Sequence, residues 1–224
     1  MRSPESDMIR EHTSPEGHPI IILERVLRRY GDTLSLTFSR YQIGPPGDQF
    51  SRPRTVFTVR ALDLTAAWLD AEIGKLKPDE ELAVHSRAAL EDEFVHIPMV
   101  DFDREIPLAT LRELGGSAIR ACRFHSPNLN FQEPPRLYLF KTGRSYHQYA
   151  DVLMLESDWH GFLGDLLLLN PASGQPSVDA RWIAHALKRG YAALRWSHNT
   201  ARYMTMPILV DKFDLTLTSF AWAG

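Results

Sequence analysis

The chain has 224 residues, with 25 basic and 28 acidic side chains and a formal charge of −3, the composition of an ordinary soluble globular protein able to bury one sizeable core. That balance excludes a general electrostatic pull toward polyanions, so any nucleic-acid binding must come from a local patch. The single cysteine, Cys122, excludes an internal disulfide framework and a zinc site built from several thiolates, and fits a reducing cytoplasm. The first residues lack the apolar run of a secretory signal, and the longest apolar stretch, Leu166 to Leu169, is far too short to span a bilayer. A soluble cytoplasmic protein with no membrane contact is expected.

Residues 1 to 18 are polar, with two Ser-Pro pairs and no periodicity, and read as a flexible arm; a single domain is expected from Pro19 to the end. Ile20 to Tyr30 reads as a helix, or a strand then a helix, and Thr33 to Tyr41 alternates as a strand. Gly44-Pro45-Pro46-Gly47 forces a loop before a strand from Thr55 to Arg60. Asp63 is placed to cap a helix running to about Leu76. Phe94 to Phe102 reads as one buried strand, with Pro98 implying an edge position or a bulge. Pro107 to Leu114 fits a short helix that Gly115-Gly116 ends before a strand from Ser117 to Phe124.

Leu137 to Lys141 and Ser145 to Leu153 form a predicted hairpin. Helices over Ser157 to Leu169 and Asp179 to Arg189 follow, separated by a Pro/Gly/Ser loop. Strands near Tyr191 to Ser197 and Ile208 to Thr218 close the chain. Strands and helices interleave without a glycine-rich phosphate loop, which predicts an α+β fold with mixed or antiparallel sheets rather than a doubly wound parallel one.

Three segments carry candidate chemistry. In a strand, side chains two apart share a face, so Asp101 and Asp103 point together, as do Ser145 and His147. Paired carboxylates suit one or two hard, oxygen-seeking divalent cations, because each raises the other's pKa unless a counter-charge is present. The same pair also reads as a solvated strand end with Arg104 neutralising one acid. A hydroxyl and an imidazole donate hydrogen bonds to phosphate oxygens, and Lys141 and Arg144 add fixed positive charge beside them. His96, His125 and His198 read as structural. The third cluster runs from Val178-Asp179 to Arg195, Ser197 and Asn199; Asp179 offers a third carboxylate or, equally, an N-cap for the helix behind it.

In that order, Asp101-Phe102-Asp103, Ser145-Tyr146-His147 and Val178-Asp179 resemble the motifs of the archaeo-eukaryotic primase superfamily, the primase-polymerases. The resemblance covers roughly Val95 to Pro207 and is closest to short bacterial primase-like members. It implies an RRM-like catalytic core with a small N-terminal α/β module, and nucleotidyl transfer from nucleoside triphosphates on a single-stranded DNA or RNA template. Asp101, Asp103 and Asp179 would hold Mg2+ or Mn2+, His147 would contact the incoming triphosphate, and Arg144, Ser145, Arg195 and Ser197 would complete the nucleotide site. Lys188, Arg189 and Arg202 are candidates for template contact, with Trp182, Trp196 and Tyr203 either stacking on bases or lying in the core. The Cys/His zinc cluster of many relatives is missing, and Asp211 rivals Asp179 as the last carboxylate. A catalytically inactive nucleotide- or nucleic-acid-binding module of the same fold, and a metal-dependent phosphoesterase, remain as alternatives.

Overall fold

Apolar side chains at Ile22, Leu23, Val26 and Tyr30 give α1 (Ile21–Tyr30) one buried face, and Gly31, at φ 86°, ends it with its N–H on the Leu27 carbonyl. This computed structural model describes residues 15–43, 54–120, 122–125, 133–203, 205–215 and 221–223. Most of the expected arm and the Gly44–Gly47 loop lie outside them. The arm does not reach residue 18: His18 is buried, accepts from the Ile20 N–H and bonds through Nε2 to the Trp196 carbonyl at 2.9 Å.

β1 (Leu34–Gln42) buries Leu34, Leu36 and Phe38 in alternation and pairs antiparallel with β2 (Arg54–Arg60). α2 (Ala66–Gly74) is capped by Thr65, whose Oγ1 accepts from the Trp68 N–H, and not by Asp63, which is engaged by the Arg60 guanidinium at 2.8 Å. β3 (Glu80–Leu90) is the longest strand among the described residues, and no element is expected there from the sequence. It pairs with β1 along one edge. Along the other it pairs with β4 (Glu93–His96) toward one end and β10 (Ala193–Arg195) toward the other. β9 (Met154–Leu155), β6 (Arg123–His125) and β12 (Ala221–Ala223) extend this first sheet, the last pair being parallel.

The expected strand from Phe94 to Phe102 is two strands in two sheets. Ile97 still donates to Ser86 of the first sheet, whereas Pro98 has no N–H to give a ladder and its carbonyl already accepts from Ala150 of the second. Beyond it, β5 (Met99–Phe102) joins an antiparallel sheet in the order β11 (Ile208–Asp214), β7 (Arg136–Lys141), β8 (Tyr146–Ala150), β5. The two glycines do not stop α3 (Leu108–Arg120). They lie inside it, because the helix passes so close to β8 that a Cβ at Gly115 would collide with the Gln148 amide. α4 (Glu156–Leu168) and α5 (Ala180–Arg189) follow as expected.

Alternation splits the second sheet between two cores. Met99, Tyr138, Phe140 and Tyr149 pack with Leu36, Phe38, Val84 and Trp196 on one face. Val100, Phe102, Leu139 and Ala150 pack with Leu111, Trp159, Phe162 and Ile183 of the helices on the other. The result is an α+β fold with predominantly antiparallel sheets and five α-helices among the described residues.

Candidate active site

Asp101 and His147 are direct cross-strand partners in the β5–β8 ladder, so both project from the same face, one step beyond the Met99–Tyr149 pair where the apolar core stops. Asp101 Oδ1 lies 3.7 Å from His147 Nε2, and the Asp101 side chain keeps 24% of its surface exposed. The free edge of β5 is taken by a one-residue bridge, Phe102 to Val178: Asp103 donates its N–H to the Ser177 carbonyl, and Asp179 donates to the Asp101 carbonyl. That bridge sets Asp179 opposite Asp101. Asn170 at the end of α4 fixes it, accepting on Oδ1 from Ser177 and Val178 and donating from Nδ2 to the Val178 carbonyl.

Asp101, Asp103, His147 and Asp179 line one cleft of about 570 Å³. Burial, then the Asp179 and Asp103 carboxylates, push Asp101 well above the usual carboxylate range, with Arg195 opposing. Burial, with Arg195 adding to it, holds His147 well below the usual imidazole range. A neutral imidazole makes the 3.7 Å approach a contact rather than an ion pair. His147 Nδ1 is buried and has no hydrogen-bond partner among the described residues, an unmet capacity of the kind that ligands fill.

The β7–β8 turn brings Arg144 and Ser145 to the same cleft; Ser145 Oγ meets Thr142 Oγ1 at 3.2 Å, and Gly143 takes φ 101°. Arg195 lines it from β10, its guanidinium 4.4 Å from the Tyr203 ring and hydrogen-bonded to the Thr205 carbonyl. Asp103 is exposed at the cleft, and Asp179 accepts on Oδ1 from the N–H groups of Arg181 and Trp182, so it caps α5 while its carboxylate borders the cleft.

Other expected residues are placed elsewhere. Ser197 does not line the cleft: it is fully buried, accepting from Leu82 N–H and donating to Glu81. Glu81 also accepts from Asn199 N–H and from both donors of Thr200, tying down the segment that follows Arg195. Lys141 alternates to the opposite face and pairs with Glu105 at 2.7 Å. Asp211 is taken by Arg112 through two hydrogen bonds of 2.6 and 2.9 Å, which hold its pKa down, and lies outside the cleft. Trp196 is core, whereas Trp182, Tyr203, Arg189 and Arg202 border the cleft and Lys188 does not.

The sequence reading passes over Glu81, Arg54, Arg181 and His185. Arg181, His185 and Arg189 at i, i+4 and i+8 were a readable signal for one helix face; Arg54, from a strand far upstream, had none.

Among the described residues no three His, Cys, Asp or Glu side chains stand ready to enclose a metal ion, and no helix is long and apolar enough to cross a membrane. No curated protein and no solved structure matches the chain significantly. A family model described as archaeo-eukaryotic primase 1D-like matches residues 60–208, which takes in β3, both acidic motifs, the Ser-x-His turn and Arg195. With well over half its length matched and these motifs lining one cleft, the chain belongs to the archaeo-eukaryotic primase-like family.

Proposed function

We propose that the chain is a metal-dependent nucleotidyltransferase, a DNA primase or polymerase that joins nucleoside triphosphates on a single-stranded template. One observation carries the reading: among the described residues, Asp101 lies in a cleft with two further carboxylates and no cation in hydrogen-bond contact, directly opposite an imidazole whose second nitrogen is unpartnered.

The donor set fits Mg2+ or Mn2+. Such ions complete their shell with water and substrate phosphates rather than a cage of protein atoms, so they do not require a ready three-residue cluster, and the described residues hold none. Asp101 and Asp103 would hold the metal, with Asp179 as the third carboxylate; bound there, it supplies charge neutralisation for the phosphates and acidifies the attacking hydroxyl. The protein's own part is positioning. Neutral His147 offers an N–H to a phosphate oxygen without competing for the cation. Arg144, Arg195 and Ser145 bring positive charge and a hydroxyl to the same side. Asp179, held by the N–H groups of α5, keeps its carboxylate from swinging away.

A second reading, a nucleotide-binding module without turnover, is favoured by the commitment of Asp179 Oδ1 to its helix cap. Incorporation of labelled nucleotide on a primed single-stranded template with Mg2+ or Mn2+ separates the two. Wild type extends the primer and Asp101→Asn does not; nucleotide binding without extension in wild type leaves the module, and shortening of the strand indicates a phosphoesterase.

A further inference from the structure

Among the described residues the cleft is lined by six arginines, three aspartates and no lysine, an excess of positive charge in a chain whose net charge is −3. The arginines fall into two groups. Arg144, Arg195 and Arg202 gather around Tyr203 and the β7–β8 turn, beside His147. Arg181 and Arg189 rise from α5 with His185 between them, and Arg54 faces them from β2. Spacing of four residues keeps the α5 side chains on one helix face over about 12 Å, while Ile183 and Ala186 are turned into the core.

None of Arg54, Arg181 and Arg189 forms an ion pair with a described residue. Arg54 is instead buttressed, Nη1 donating to Ser39 Oγ at 2.9 Å with the guanidinium 4.7 Å from the Tyr41 ring. Burial and then Arg189 lower Arg54 below the ordinary guanidinium range, and burial, Arg189 and Arg181 lower His185. Cations crowded this way repel one another and persist at a cost that a bound polyanion would offset. Beside them Tyr191 borders the cleft, its ring stacked on buried His85 with centroids 4.0 Å apart, so one face is rigidly supported.

In the proposed reaction the first group serves the one triphosphate. The second is a separate row of forked donors, matched to phosphodiester oxygens at successive positions of a strand. We propose that Arg181 and Arg189 of α5, with Arg54 opposite, form a seat for the sugar-phosphate backbone of a single-stranded polynucleotide, and that Tyr191 borders it as a stacking surface. This deepens the nucleotidyltransferase reading and rests on it for the identity of the strand as template or primer.

The test titrates the full chain with fluorescein-labelled oligothymidylate, and separately with a nucleoside triphosphate and Mn2+, across a salt series. Arg181→Ala/Arg189→Ala should weaken oligothymidylate binding about tenfold or more and flatten the salt slope by about 1.4, with triphosphate affinity unchanged within about twofold. Arg181→Lys/Arg189→Lys should restore the slope but only part of the affinity. Both positions reach solvent, and circular dichroism confirms that the variants fold. Unchanged strand binding in the alanine variant overturns the seat, as does equal loss of strand and triphosphate, which would assign these arginines to the nucleotide pocket. A wild-type chain that binds the strand through these arginines yet incorporates nothing leaves the seat standing and sinks the polymerase reading. The reverse result, template-directed incorporation with strand binding indifferent to the arginines, sinks the seat alone.

Discussion

Asp151 is buried just past β8 and Asp101 is half-buried in β5 of the same sheet, and their surroundings differ in the one respect that matters. Asp151 receives Arg25 Nε at 2.5 Å, Arg29 Nη2 at 3.4 Å and the Arg136 N–H at 2.7 Å. Asp101 has a neutral imidazole at 3.7 Å and two like charges nearby. Glu81 is a third solution, buried with neutral donors from Ser197, Asn199 and Thr200. A buried charge satisfied from within is scaffold; one left to be satisfied from outside marks a site.

The sharpest way to break this comparison is to neutralise each aspartate in turn. Asp151→Ala leaves Arg25 and Arg29 without their buried counter-charge and should cost about 3–5 kcal/mol in urea unfolding. A loss below about 1 kcal/mol would show that water compensates those guanidiniums.

The histidines extend the comparison to pH. His18 and His96 are held down to about 4 and His85 to about 3, chiefly by burial. The unfolded chain takes up protons near the ordinary imidazole pKa of about 6.5 while the folded chain does not, so stability falls as pH drops below it, by about 1 kcal/mol per imidazole between pH 6.5 and 5.5. Urea titrations at these two pH values on wild type and on the His18→Gln, His85→Gln and His96→Gln variants would read each ring's share, about 3 kcal/mol for the three together, apart from the contributions of His147, of the same sign, and Asp101, of the opposite sign. Variants as pH-sensitive as wild type would show that the three rings are already charged in the fold. His96 is the structural counterpart of His147, with Nδ1 on Ser86 Oγ at 3.0 Å, Nε2 on Glu156 at 3.1 Å and its ring stacked on Trp159.

The smallest effect has the opposite sign. Asp101→Asn removes a carboxylate whose ionised form is penalised at neutral pH, and should stabilise the fold by on the order of 1 kcal/mol while abolishing nucleotide incorporation. Thermal unfolding measured beside activity checks it, and a lowered midpoint would place Asp101 with Asp151 as scaffold.

Elements whose burial followed one simple period were legible in the sequence: α1, β1 and α5. The β7–β8 hairpin, buried on both faces, was legible from the Thr142-Gly143 turn instead. β3 was not, because Glu81, His85 and Ser86 sit buried among its apolar residues, and their partners, at Thr200, Ser39 and His96, lie 119, 46 and 10 residues away. Gly115-Gly116 reads locally as a stop, yet Gly115 serves close packing of helix on sheet. Pro98 reads as a bulge, but the change of sheet it marks is visible only once both ladders exist. The four motif residues Asp101, Asp103, His147 and Asp179 were legible as types and order. Their register across β5, β8 and the Val178 bridge was not, nor was the diversion of Ser197 and Lys141, since each depends on which strand lies next door.

The clamp at Asn170 has a practical consequence. Because its amide grips the backbone at Ser177 and Val178, the exposed stretch from Pro171 to Gln175 is bracketed at both ends, and its length is uncoupled from the position of Asp179. That stretch is therefore a natural grafting point: an affinity tag, a fluorophore or an entire reporter protein spliced there would ride outside the molecule while the acidic trio keeps its spacing.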